Sequence, residues 1–272
     1  MSATAIATRP AARLSAPGIV RSEWIKLRSV RSTVWSYAII VVVSLGMAAL
    51  MASTISFVGE IPAEAHGSYV VQASTFGIFF GQLIVGVLGV LVISGEYSTG
   101  MIRSTLTAVP KRLPALAAKA LVLFLTTLVV GLVSVFGSFA IAAPILAGEG
   151  IQPDLSDGIV VRDLALSALY LALVAVFSLG VGTILRSSAG GIAAALGTIL
   201  LLPTVFQVIA GLTQAEWASN IMPYLLSNAG MGMFSESMDG TGLEQWQSLL
   251  VVLAWAAVSL VGGALLLKRR DA

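Results

Sequence analysis

The sequence predicts an all-α, polytopic membrane protein with six transmembrane helices. Of its 272 residues, 57% are hydrophobic and only 10% are charged, whereas a soluble globular domain carries about 25% charged residues. Six apolar stretches are each long enough to cross a bilayer as a helix, and none contains Asp, Glu, Lys, Arg or His. Their apolar runs do not alternate with polar residues, so a β-barrel is the poorer interpretation.

The chain divides into a short tail and one membrane domain. Residues 1–16, rich in Ala, Ser, Thr and Arg, are expected to form a flexible cytoplasmic tail. No signal peptide is expected, because residues 1–32 lack an apolar core of the required length, and the first span is expected to be a retained signal-anchor. Residues 17–272 are expected to form a single transmembrane domain. The predicted spans are residues 33–58, 73–95, 120–143, 164–185, 190–212 and 246–267.

The basic residues predict the orientation of the spans. With the amino terminus in the cytoplasm, all of the 15 basic residues except Arg162 lie on the inner side. Lys and Arg near the ends of spans favour the cytoplasmic side. We therefore expect a multi-pass protein of the cell inner or plasma membrane with both termini cytoplasmic. The net charge of +2 follows mostly from this topology, and nucleic-acid binding is not indicated.

The segment from Pro17 to Arg31 predicts an amphipathic helix that lies in the membrane interface, in contact with membrane lipid, before the chain turns into the bilayer. Its apolar stripe is Val20, Trp24, Leu27 and Val30, from which Arg21, Lys26 and Arg28 point away and into which Glu23 and Arg31 intrude. A charged anchor with no further role is the alternative interpretation.

Inside the spans, the polar content is Ser, Thr, Gln and many glycines. Gly77 and Gly81 form a GxxxG pair, and small residues of this kind let helix backbones approach closely. Packing is therefore preferred to lining a pathway. Gln82 and Gln207 need partners in hydrocarbon; they either face a pathway or bond across a helix pair, and we favour the second. Pro203 removes a backbone donor and is expected to kink the fifth span, as a shape feature or a hinge.

Two gaps between spans carry further predictions. The outer gap, residues 213–245, has apolar patches broken by Pro223, Gly230 and Gly232. It predicts a pair of short re-entrant or interface-lying helices, which are tolerated only inside protein or at the headgroups.

The inner gap, residues 96–119, predicts a short cytoplasmic helix. Ser94 can cap such a helix and would place Glu96 in its first turn, where the carboxylate gains about 0.3–1 kcal/mol from the helix dipole. At the end of the second span the same charge would oppose that helix's own dipole. We therefore expect the chain to break at Ser94-Gly95 and the new helix to end before Pro110.

The inner gap resembles the cytoplasmic loop of ABC-transporter permeases of the export type, the ABC-2-like family whose fold is shared with sterol and multidrug half-transporters. The residues that carry the resemblance are Glu96, Gly100, Leu106, Pro110, Lys111, Arg112 and Lys119. The segment SEWIKLRSVRS is similar to the family's connecting helix and supplies Glu23, Trp24, Lys26 and Arg28. The family loop often has a second acidic residue and a Gly-Thr pair, where this chain has Tyr97-Ser98-Thr99 and Gly100-Met101.

This resemblance implies the permease subunit of an ATP-driven exporter, in which a separate ATP-binding-cassette ATPase subunit drives alternating access. A second permease subunit would pair with it as a homodimer or heterodimer. ATP and Mg would be bound by the ATPase, and no cofactor is expected on this chain, which has no GxxxxGK[ST] motif. The implied ATPase contacts, on a coupling helix, are Glu96, Tyr97, Ser98, Gly100, Arg103, Leu106, Pro110, Lys111 and Arg112, with Glu96 and Arg103 stabilising the loop.

Enzymatic activity is not expected of this chain. It has no cysteine and only one histidine, His66, which is too few ligands for a metal site. Proton-coupled carriers place Asp, Glu or His inside the membrane, and the spans have none. A sodium-coupled carrier with carbonyl and hydroxyl ligands at broken helices, or a non-transporting membrane scaffold, stays open as an alternative. The apolar and hydroxyl groups of the spans favour lipid-like, peptide or hydrophobic drug substrates.

Overall fold

The computed structural model describes residues 15–57, 61–101, 107, 112–151, 155–235 and 242–269. Most of these residues are helical, and they include no β-strand. Six of their helical segments are long and apolar enough to cross a membrane. The predicted all-α polytopic fold is therefore confirmed.

Eleven α-helices lie in this described part of the chain. They are α1 (Ala16–Ser29), α2 (Arg31–Ser53), α3 (His66–Thr75), α4 (Ile78–Ser98), α5 (Arg112–Gly148), α6 (Gly158–Leu185), α7 (Ser188–Leu196), α8 (Leu202–Thr213), α9 (Glu216–Ile221), α10 (Leu226–Gly232) and α11 (Gln245–Arg269). The candidate spans are α2, α3 with α4, α5, α6, α7 with α8, and α11.

Several helices extend beyond the predicted spans. The second candidate span runs from His66 to Ser98 with a turn at 76–77, and the third runs from Arg112 to Gly148. By contrast, α2, the first candidate span, ends at Ser53 and a 3-10 turn follows at Ile55–Phe57. The predicted spans exclude charged residues, because they are defined by their apolar residues. A helix continues past a charged residue until its backbone is capped or turned.

α6 is the central helix of the bundle. In its most apolar window 78% of the residues are buried, compared with 11% in the segment formed by α7 and α8. α4, α5 and α11 all pack against α6. Close approach depends on small residues at these crossings: a Cβ on Gly89 of α4 would lie 2.5 Å from the carbonyl oxygen of Ala175 in α6, and one on Gly180 would lie 2.5 Å from the carbonyl carbon of Ser259 in α11.

The fifth span is interrupted just before Pro203. A π-helical turn, Gly197–Leu201, separates α7 from α8, and Pro203 lies in the first turn of α8. A proline has no backbone N–H to donate, and a π-helical turn is one way in which a helix accommodates that loss. The interruption separates two unlike halves: Gly191 and Ala195 of α7 are buried, whereas no residue of α8 is.

The outer gap forms the predicted pair of short helices. α9 and α10 are joined by a 3-10 turn, Met222–Tyr224. Leu226 and Ala229 of α10 are buried, and Gly230 lies directly against the ring of Tyr170 in α6. The indole N–H of Trp255 in α11 donates to the carbonyl of Tyr224 at 3.0 Å. α10 is thus packed inside the protein, which is one of the two settings in which such a short re-entrant helix is tolerated.

The crossing of α4 and α6 yields a prediction with a matched control. We expect Gly89→Ala to destabilise the protein by about 1–3 kcal/mol, because the new methyl group would meet the backbone of α6. Gly95→Ala, in the same helix with open space around its Cβ position, should be neutral or stabilising, because alanine favours helix by about 0.5–1 kcal/mol over glycine. Thermal unfolding in detergent measures both variants, and equal shifts of the two would contradict the packing.

Candidate functional site

The predicted chain break at Ser94-Gly95 is wrong. α4 continues to Ser98, and the N–H of Thr99 closes it by donating to the carbonyl of Gly95 at 3.2 Å. Ser94 caps no helix; its hydroxyl is buried and accepts a hydrogen bond from Ser188 at 2.9 Å. Glu96 therefore lies in the last turn of α4, at the negative end of the helix dipole.

Two lysines from other helices explain why Glu96 is tolerated there. The Nζ of Lys119 in α5 lies 2.8 Å from Glu96 Oε1, and the Nζ of Lys26 in α1 lies 3.0 Å from the same oxygen. A charge at a helix end gains or loses about 0.3–1 kcal/mol, whereas breaking a buried ion pair costs about 3–5 kcal/mol. The tertiary ion pairs therefore outweigh the local dipole, which is the term on which the prediction rested.

Glu23 of α1 completes a four-charge cluster, defined here as Glu23, Lys26, Glu96 and Lys119. Its two oxygens lie 2.5 Å from Lys119 Nζ and 2.7 Å from Lys26 Nζ. The side chains of Glu23, Glu96 and Lys119 are 3%, 7% and 6% exposed, and only Lys26, at 30%, reaches solvent. Two carboxylates and two ammonium groups balance one another, so the cluster joins α1, α4 and α5 without a net charge.

α1 is a helix as predicted, but it buries a different face. Ser15 caps it by accepting from the N–H of Gly18 at 3.3 Å, with Pro17 in the first turn. Glu23 and Leu27 are its buried residues, whereas Trp24 and Val30 are about half exposed. The carboxylate that intruded on the apolar stripe is thus the anchor of the buried face. Two features of the sequence could have indicated this buried face. They are the three-residue spacing of Glu23 and Lys26 and the presence of a lysine, Lys119, at the start of the third span.

The cluster holds Lys26 in its charged form. Burial acts to lower the pKa of Lys26, but hydrogen bonds to Glu23 and Glu96 and the charges of both carboxylates raise it, and the net result is a pKa above the ordinary lysine value. A group whose pKa is raised by folding contributes stability that is lost only as pH rises through the folded pKa. The contribution of Lys26 is therefore fully present at neutral pH.

Further contacts tie the end of α4 to other helices. The guanidinium of Arg186, which closes α6 in a left-handed conformation (φ 53°), lies 5.2 Å from the ring centroid of Tyr97. Ser188 at the start of α7 donates to Ser94. Arg112, at the start of α5, donates to the carbonyl of Leu267 near the end of α11 at 3.0 Å. Five of the candidate spans are thus linked at one end of the bundle.

The structure brings part of the predicted set together. Glu23, Lys26, Glu96, Tyr97 and Arg112 belong to this end of the bundle, where Ser98 and Gly100 are exposed, Gly100 with a φ of 72°. Trp24 and Arg28 lie on the exposed side of α1. Arg103, Leu106, Pro110 and Lys111 lie outside the described residues.

The two predicted glutamines are in different surroundings. Gln82 of α4 is buried and its amide oxygen accepts a hydrogen bond from the Tyr170 hydroxyl, so it bridges α4 and α6. Gln207 lies on the exposed surface of α8, in the half of the fifth span that also contains Pro203. Within the described ranges, no group of three or more His, Cys, Asp or Glu side chains could hold a metal ion.

Comparison with known protein families identifies the family of this chain. A family model described as ABC-2 family transporter protein matches residues 17–272, from the first turn of α1 to the end of the chain. No curated protein matches the chain. The match includes every residue of the four-charge cluster.

The burial of the cluster predicts unequal effects for its two lysines. Lys119→Gln leaves two buried carboxylates with one partly exposed lysine, and we expect a loss of about 3–5 kcal/mol in the free energy of unfolding. Lys26→Gln should cost about 1 kcal/mol or less, because its ammonium group is partly solvated. Combining Glu23→Gln with Lys119→Gln should recover part of the loss, since the charges balance again. Unfolding in detergent tests this, and equal losses for the two lysines would contradict it.

Proposed function

Because the chain belongs to the ABC-2 transporter family and is a membrane permease component of an ABC transporter, we propose that its four-charge cluster transmits the movement of a separate ATPase subunit to the spans. The spans then alternate between inward- and outward-facing states and export a substrate. The ATPase subunit binds ATP and Mg and hydrolyses the ATP. This chain undergoes the conformational change that moves the substrate. Permeases of this family typically have no catalytic role of their own.

The observation that carries the proposal is that one ionic cluster holds three helices at the end of the bundle where α4 ends and α5 begins, on either side of residues 99–111 in the sequence. Glu96 stands three residues before that segment, and Arg112 stands directly after it. α1 is bound to the same point through Glu23 and leads into α2 through the single residue Val30. A push on α1 or on the segment 99–111 would therefore reach α2, α4 and α5 together.

Among the described residues, a different polar contact holds the opposite end of the bundle together. There Asp163 of α6 accepts hydrogen bonds from Arg162 at 2.9 Å and from Gln245 at 3.0 Å, and this pins the start of α11 to α6. The basic residues of the described helices, except Arg162, belong to the end that holds the cluster. This distribution supports cytoplasmic termini and an ATPase that docks from the cytoplasmic side of a cell membrane.

The fifth span is the element that we expect to move most and to meet a second permease subunit. Its α7 half is held against α4, where a Cβ on Gly191 would lie 2.6 Å from a methyl group of Val90. Its α8 half has no buried residue, and the π-helical turn separates the two halves. Gln207 exposes an amide on α8, which is costly against lipid and is better accommodated against another subunit.

The coupling role predicts a selective loss in Glu96→Gln. We expect this variant still to be pulled down in detergent with an ABC ATPase encoded by a neighbouring gene. Because the connection between α4 and the two lysines is weakened, stimulation of the partner's ATPase activity by the permease should fall by about 5–150-fold, the usual range of a coupling between sites.

Asp163→Asn is the matched control. Asp163 is as buried as Glu96, with 6% of each whole residue exposed. Because Asp163 lies at the other end of the bundle, its replacement should leave ATPase stimulation close to that of the wild type. Failure of the wild-type chain to bind any ABC ATPase would contradict the proposed function. Equal loss of stimulation in both variants would contradict the role of the cluster alone.

A further inference from the structure

One side of α1 takes no part in the four-charge cluster. Arg21, Trp24, Ile25 and Arg28 are exposed and follow the spacing i, i+3, i+4, i+7, which places them on one side of a helix. Residues 20, 23 and 27 define the side that packs on the protein. The exposed side of α1 is therefore free to bind something other than α4 and α5.

The first turn of α2, which follows α1 through the single residue Val30, also carries exposed residues. Arg31 and Trp35 are four residues apart and exposed, and Trp35 is 69% exposed. Ile39 and Val42 continue this stripe along the span and are also exposed, so the stripe faces acyl chains. Arg31 then lies one helical turn outside the apolar part of the span, at the level of the headgroups, with Trp35 at the boundary.

This surface is basic and lacks its own counter-charge. In residues 15–57 the single acidic residue is Glu23, which is buried in the four-charge cluster. Among the described residues, no ion pair joins Arg21, Arg28 or Arg31 to an acid. The mixture of guanidinium, indole and aliphatic groups is that of an element lying at a membrane surface with anionic lipid.

We propose that Arg21, Arg28 and Arg31, with Trp24 and Trp35, bind the phosphate of an anionic phospholipid in the leaflet that surrounds this end of the bundle. The bound lipid would hold α1 in the headgroup layer while Glu23 holds its other side to α4 and α5. A third side of α1 carries Ser22 and Ser29, whose hydroxyls donate to carbonyls of their own helix at 2.7 and 2.6 Å. That side remains available to the ATPase, so the lipid site does not depend on the proposed function.

The test uses the full chain in nanodiscs of phosphatidylcholine that contain the same minor fraction of brominated phosphatidylglycerol or brominated phosphatidylcholine. Bromine quenches nearby tryptophan fluorescence, so preferential association shows as stronger quenching by the phosphatidylglycerol. We expect that preference in the wild type. It should weaken at high salt and fall about five-fold for each arginine replaced in Arg28→Gln and Arg31→Gln.

Two controls locate the signal. Trp24→Phe with Trp35→Phe leaves Trp217, Trp246 and Trp255, and this variant should lose the preference. Lys268→Gln with Arg269→Gln removes two exposed charges of α11 at the same end of the bundle and should keep it. Arg28→Lys with Arg31→Lys retains the charge and should keep most of it.

Equal quenching of the wild type by the two brominated lipids would overturn the proposal, and this comparison needs no variant to fold. If Arg28→Gln with Arg31→Gln then also abolished pull-down of the ATPase, this face would belong to the ATPase instead. A loss of preference in Lys268→Gln with Arg269→Gln as large as that in the arginine variants would equally overturn a site on α1.

Discussion

The buried ion pairs among Glu23, Lys26, Glu96 and Lys119 are the constraint on which the arrangement of this end of the protein depends. Removing a charge from water costs several kcal/mol, and a partner recovers that cost only in good geometry. Each carboxylate here meets both ammonium groups within 3.0 Å. Few other positions of α1 would bring both carboxylates into contact with both lysines, so the cluster fixes where α1 lies against the end of α4 and the first turns of α5.

The rest of the bundle is held by weaker and less directional contacts. Small residues such as Gly89 and Gly180 bring α4 and α11 close to α6, and the packing area that results replaces a hydrophobic drive that lipid does not provide. Polar links are few and lie at the ends or between helix pairs, as at Gln82 with Tyr170. This contrast allows the bundle to combine one firmly held end with a fifth span that is largely exposed.

The number and order of the spans could be predicted from the sequence because they depend on local hydropathy, which is summed over consecutive residues. Hydropathy located the six spans, and broken apolar patches located α9 and α10. The end of α4 could not be predicted in this way. A local rule, the helix dipole, placed a break before Glu96, whereas the outcome depends on Lys26 and Lys119, which lie 70 and 23 residues away. The prediction for the buried face of α1 was wrong for the same reason. A carboxylate on an apolar stripe is unfavourable in the isolated helix, and Glu23 becomes favourable there only through its ion pair with Lys119.

We propose that the cluster makes α1 and α5 move as one body with α4. The chain has no cysteine, so spin labels can be placed without a background at two exposed positions, Ile25→Cys in α1 and Leu121→Cys in α5. In the complex with the ATPase, we expect the interspin distance to stay the same through the nucleotide cycle in the wild type and its distribution to broaden in Lys119→Gln. A distance that changes with nucleotide in the wild type, or one unaffected by Lys119→Gln, would contradict it.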